Sequence, residues 1–196
     1  MKGKAELTLS PGRIDPGSDA WQDSRKPLAG EFTFRGRTVI VIANHFNSRG
    51  CDEPIMGRWQ PPSRTSETQR SSQARELHAF VAKILTVQKD ANVVVAGDFN
   101  DFEFSRTTSI LQSGEQPQGA PALVSLPRLL PPAERYSYGF DGNSQVLDQI
   151  FVSPAVLVGS PARHVPRIRG YDVVHVNAEF ADQVSDHDPQ VLRLEP

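Results

Sequence analysis

"VVVAGDFNDF", residues 93–102, opens on four apolar residues and a glycine, then sets out Asp98, Asn100 and Asp101 around Phe99. A short, uninterrupted apolar run that stops at polar residues reads as a strand buried on both faces. Alternate residues of an extended chain point the same way, so Asp98 and Asn100 face one side and Phe99 turns into the core. A second run of this kind, "VIVIA" at 39–43, also ends in polar residues, Asn44 and His45. It forms the second arm of an expected hairpin, with strand Glu31–Phe34, a turn at Arg35, Gly36 and Arg37, and strand Thr38–Ala43. Strands of this composition need a layer above and a layer below. The expected class is a mixed α/β fold with at least one sheet covered on both sides.

Outward from these strands, Ala74, Leu77, Val81, Ile84, Leu85 and Gln88 trace one stripe at helical spacing. A helix is expected over Ser66–Lys89, opened by a capping box between Ser66 and Gln69. A short helix is expected near Thr107–Gln112, and loop over 114–134. "RYSYGFDGNSQVLDQIFVS" at 135–153 reads as a hairpin turning at Asp141, Gly142 and Asn143, with "VLDQIFV" as its outgoing strand. Tyr136, Tyr138 and Phe140 alternate along it and read as packing. "YDVVHVNAEF" at 171–180 reads as a further strand, and "QVLRL" at 190–194 as the last. Residues 1–24 form an irregular segment ahead of a domain at 25–196.

The chain has 196 residues and a net charge of −2, with 38% hydrophobic and 22% charged residues, a balance that suits one globular domain. Near-zero charge provides no global attraction for a polyanion, so any such site must be local. The single cysteine, Cys51, excludes an internal disulfide. No apolar run approaches the roughly 18 residues of a membrane span, and no membrane partner is expected. No signal-peptide pattern is visible.

Four places put oxygen or imidazole groups at the ends of apolar strands: Asn44, His45 and Asn47; Asp98, Asn100 and Asp101; Asp148; and Asp186, His187 and Asp188. Asp148 lies inside an apolar strand, where a carboxylate is costly unless paired. Oxygen donors such as Asp98, Asn100 and Asp186 suit Mg²⁺, Mn²⁺ or Ca²⁺ rather than zinc. Histidines supply acid–base groups, and a carboxylate can orient one of them. Such a set fits hydrolysis of a phosphate ester. Chemistry alone leaves open which residue does what.

At these motifs the chain resembles the endonuclease/exonuclease/phosphatase superfamily. "VIANHFNSRG", "VVVAGDFND", "YSYGFDGNSQVLDQIFVS" and "HVNAEFADQVSDHDP" match in order over about residues 25–193, closest in flavour to bacterial extracellular nucleases. The resemblance implies a deoxyribonuclease I-like, largely antiparallel β-sandwich flanked by helices. It implies that His45 contacts the scissile phosphate, Asp98 orients water, and Asn100 binds a phosphate oxygen and holds Asp98. It further implies that Asp148 pairs with His187 and that Asp186 is a metal ligand, with Asp98 and Asn100 beside it. Mg²⁺, or Mn²⁺ or Ca²⁺, is the implied cofactor, and secretion the implied compartment. Full-length relatives carry an extra N-terminal half with an Asn and a metal-ligand Glu. Neither motif stands upstream of His45, so the domain is expected to be N-terminally truncated, or completed by a second copy or partner.

Arg49, Arg58, Arg64, Arg70 and Arg75 cluster around the loop before the long helix. Asn47, Arg49 and Arg70 are the candidates for substrate contact, and Trp59 for stacking or loop packing. The leading expectation is a divalent-metal-dependent phosphodiesterase, a nuclease acting on DNA rather than RNA. The alternatives are a phosphatase acting on a small or lipid phosphate, and a weakly catalytic half domain that acts through assembly.

Overall fold

The computed structural model describes residues 4–34, 36–54, 56–116, 120–158 and 167–195. Arg35 of the expected turn, residues 117–119 of the expected loop and His164 lie outside the described residues.

Six strands make the main sheet: β1 (Gly12–Arg13), β2 (Leu28–Phe34), β3 (Arg37–His45), β4 (Val93–Asp98), β5 (Val124–Ser125) and β8 (Asp148–Val152), in the order β1-β2-β3-β4-β8-β5. Among the described residues only β3 and β4 run parallel, and the other pairings of this sheet are antiparallel. The crossover between β3 and β4 carries α1 (Glu67–Val87), and α2 (Arg106–Ser113) follows β4. Strands β6 (Tyr138–Phe140) and β7 (Asn143–Gln145) form a separate hairpin. After the short α3 (Pro154–Val158), β9 (Arg167–Val173) and β10 (Gln190–Glu195) form a second, two-stranded sheet.

The apolar strands divide their residues between two cores. Ala29, Ile40, Ile42, Val93, Val95 and Phe151 pack against Ala74, Leu77, Val81 and Ile84 of α1 and Ile110 and Leu111 of α2. Val94, Ile150 and Val152 face the other way, against Leu126, Val156, Ile168, Tyr171, Leu192 and Leu194. The result is helices, a six-stranded sheet and a two-stranded sheet in three layers. Ala5, Ile14 and Trp21 from the first 24 residues join the helix-side core.

Several local expectations change. "VIVIA" is buried on one face only: Ile40 and Ile42 are buried, Val39 and Val41 half-buried and Ala43 exposed. The two strands β9 and β10 cover the β4–β8 side of the sheet, and among the described residues little covers the β2–β3 side. The capping box does not form. Ser66 Oγ donates instead to Asp52 Oδ2 at 2.6 Å, and Gln69 Nε2 donates to the Gln22 carbonyl at 2.7 Å. The 141–143 turn is a two-residue turn with positive φ at Asp141 (49°) and Gly142 (74°), as a type I′ hairpin requires. Its outgoing strand breaks after Gln145, and β8 restarts at Asp148 in the main sheet. The strand expected at 171–180 stops at Val173, because the amides of Val176, Asn177 and Ala178 all turn toward one oxygen, Asp188 Oδ1.

Candidate active site

Register places the first three site residues. His45 ends β3 and pairs with Asp98 at the end of β4; Asp98 pairs in turn with Asp148 at the start of β8. They form one row across three neighbouring strand ends. Two of them are followed by an anchor in the core: Phe46 after His45 and Phe99 after Asp98. Rings of Trp21, Phe46, Phe99 and Phe151 run beneath the row with successive centroids 6.2, 5.0 and 5.0 Å apart. Such contacts add about 0.5–1.5 kcal/mol each beyond burial and fix the floor of the site. Gly97 allows the row to close. Its φ is +144°, and a Cβ there would lie 1.8 Å from the Asn44 carbonyl oxygen.

Asp98 is held from both sides. Its Oδ1 accepts the Asn100 amide N–H at 2.7 Å, and its Oδ2 lies 3.5 Å from His45 Nε2. Asn100 reaches this position through a left-handed backbone, φ 49°, and its Nδ2 donates to the Phe46 carbonyl at 3.1 Å. That bond leaves its Oδ1 as an acceptor. Burial, and then the charge of Asp148, push the Asp98 carboxyl above its ordinary value, against the Asn100 N–H, His45 and His187.

His187 arrives from the 181–189 loop. Its Nδ1 lies 2.5 Å from Asp148 Oδ2, which also accepts Ser137 Oγ–H at 2.8 Å. The bond to Asp148 raises the imidazole's pKa above its ordinary value despite burial. The loop is pinned next door by Asp188. Besides its three amides, this carboxylate takes His175 Nδ1 at 3.0 Å, and Tyr136 stacks on the His175 ring at 4.1 Å. Buried though it is, Asp188 is held below its ordinary pKa by His175 and these amides. Ser137 and His175 are parts of the site to which sequence reasoning gave no role, and nothing in their local sequence signals one. Asp188 was read among the strand-end carboxylates, but its part in pinning 176–178 depends on contacts that the sequence does not show.

His45, Asp98, Asn100, Asp186 and His187 line one cleft of about 1030 Å³, together with Arg49, Met56, Tyr138 and Phe140. Asp148 lies behind His187. Of the expected substrate contacts, Arg49 lines the cleft, with its guanidinium 4.4 Å over the Phe102 ring and Nη1 donating to Gln145 Oε1 at 3.0 Å. Asn47 is not in the lining; its backbone N–H donates to Gln73 Oε1 at 2.8 Å. Arg70 is corrected outright. Its side chain is 0% exposed and bonds to Asp101 Oδ2 at 3.1 Å, Asp52 Oδ2 at 3.2 Å and Ser66 Oγ. It is a buried cation neutralised by two carboxylates and cannot reach a ligand. Two of the other arginines are engaged elsewhere: Arg75 pairs with Glu115, and Arg58 lies over Trp59, which is 59% exposed.

Among the described residues no three His, Cys, Asp or Glu side chains converge closely enough to cage an ion. The donors that share the cleft, Asp186, Asn100 Oδ1 and Asp98, fit only the open kind of site. In such a site Mg²⁺ is held by one or two carboxylates and by the phosphate oxygens of the substrate.

The family model of the Endonuclease/Exonuclease/phosphatase family matches residues 10–187. Among curated proteins, no sequence matches. Solved structures share the fold. A humanized D. rerio TDP2 with 14 mutations aligns over 96% of this chain and 67% of its own, at 19% identity and a TM-score of 0.64. A mannosyl-6-phosphatase of Bacteroides thetaiotaomicron aligns over 87% and 57%, at 18% identity and a TM-score of 0.55. The human Nocturnin catalytic domain aligns over 86% and 52%, at 16% identity and a TM-score of 0.51. The chain thus spans between half and two thirds of these neighbours.

Proposed function

This chain belongs to the Endonuclease/Exonuclease/phosphatase family, and from that premise we propose that it hydrolyses phosphodiester bonds in nucleic acid, DNA rather than RNA, with a divalent cation, Mg²⁺ first. Members of the family are hydrolases of phosphodiesters or phosphate esters and generally use divalent metals. The observation that carries the reading is the row His45–Asp98–Asp148 with His187 locked onto Asp148. It sets a carboxylate of raised pKa and an imidazole of raised pKa on one cleft, the pairing that base and acid need. A structure of D. rerio TDP2 complexed with a single-strand DNA product, 18% identical here, supports the substrate class.

Water oriented by Asp98 attacks phosphorus in line and gives up its proton to that carboxylate. The bond to the leaving oxygen breaks as protonated His187 donates to it. Asp148 keeps His187 in the tautomer with Nδ1 carrying a proton. His45 and Asn100 face the phosphoryl oxygens. A cation held by Asp186 and Asn100 would supply charge for those oxygens.

Hydrolysis of a single-stranded oligodeoxynucleotide, a plasmid and mannose 6-phosphate, each with Mg²⁺ and then with chelator, tests the reading. Metal-dependent cleavage of the DNA substrates is expected. Cleavage confined to the sugar phosphate would replace it with the phosphatase reading, and equal rates in chelator would remove the metal. A second reading, action through assembly, draws on the β2–β3 face, which the described residues leave partly uncovered and where Phe32 is 60% exposed. Native mass spectrometry would give a dimer on that reading and a monomer otherwise.

A further inference from the structure

Phe140 was expected to pack, and it does not: it is 54% exposed at the mouth of the cleft. It is also not an isolated surface aromatic. Phe140 and Tyr138 lie two residues apart on β6, so both rings stand on one side of the strand. Their planes are 10° apart, with centroids 6.3 Å apart. Tyr138 in turn lies against His187, centroid to centroid 4.7 Å, and its backbone bridges to His187. Three rings therefore step outward from the proton donor to the rim. The outermost is held by a rigid two-residue turn, with Phe140 paired to Asn143.

The charge of the cleft limits what can dock there. Among the described lining residues, Arg49 and the protonated His187 stand against Asp98, Asp186, Asp141 and Glu53, with Asp52 neutralised by Arg70. A long phosphate track would be repelled. A flat, uncharged ring would not be, and an open phenyl face beside a phosphate site offers it a stacking surface.

Resting on the phosphodiesterase reading, the geometry points to Phe140 as a stacking platform for one unpaired nucleobase adjoining the scissile phosphate, so that the site selects single-stranded DNA over duplex. Affinity then comes from the base more than from the backbone, and its salt dependence is shallow, the slope of about one or two phosphates.

The test is fluorescence anisotropy of a labelled dT8 and of an abasic octamer with the same backbone, in chelator so that no cleavage is needed. The native chain is expected to prefer dT8. Phe140→Ala should weaken dT8 binding about 5- to 150-fold and leave the abasic strand unchanged, while Phe140→Trp should keep dT8 affinity. Equal effects on the two strands, or none on dT8, would overturn the proposal. Base-dependent binding by a chain that cleaves no DNA would sink the catalytic reading alone.

Discussion

Arg70 shows how much the depth of a single residue decides. A sequence displays its charge and its place in an arginine-rich stretch, and both suggest a phosphate contact. The fold sinks it to 0% exposure between Asp52 and Asp101 and turns it into a tie between the loop after β3, α1 and the loop after β4. Removing one partner of such a pair strands the other charges. Arg70→Met is therefore expected to lose about 3–5 kcal/mol in urea unfolding. An unchanged midpoint would show the network to be dispensable. The same network sets an acid limit. Asp52 is desolvated, yet Ser66 and Arg70 hold its pKa below the ordinary 3.8. A depressed folded value adds stability that is present above pH 3.8 and is lost as pH falls through the folded value. Wild type should therefore lose stability below about pH 4 more steeply than Asp52→Asn, read by thermal melts across pH. Asp98, Asn100 and His187 were expected from their places at the ends of apolar strands, and they line one cleft. Residue type alone does not decide a role there, since a polar residue at a strand end also serves turns, as Asp188 does in pinning 176–178.

At the scale of elements, strand register does the positioning. The apolar runs foretold β3, β4, the long helix and the closing strand. They could not foretell that His45, Asp98 and Asp148 fall level, because that depends on pairing between strands distant in sequence. Where long-range polar contacts intervened, local reading failed: Asp188 curled 176–178 away from strand geometry, and Asp52 took the hydroxyl that a capping box would have used. Gly97 is the residue that register depends on. Gly97→Ala forces a methyl onto the Asn44 carbonyl and prises β3 from β4 at the row. It is expected to lower kcat at least tenfold and to lower Tm by several degrees. A variant with native kcat would mean that the row need not be level.

For the whole molecule, six strands lie between helices on one face and two strands on the other, and the described residues cover the second face only in part. Composition cannot show this, since an apolar run looks alike whether or not a neighbour covers it. What the layers do secure is a cleft shared by one half-buried carboxylate and one carboxylate-bound imidazole. That arrangement is the central claim, and it is tested most directly by the single-turnover rate of Mg²⁺-dependent cleavage of a single-stranded oligodeoxynucleotide by His187→Ala. A fall of about two or more orders of magnitude with substrate affinity nearly unchanged is predicted. A rate equal to that of the native chain would contradict the account.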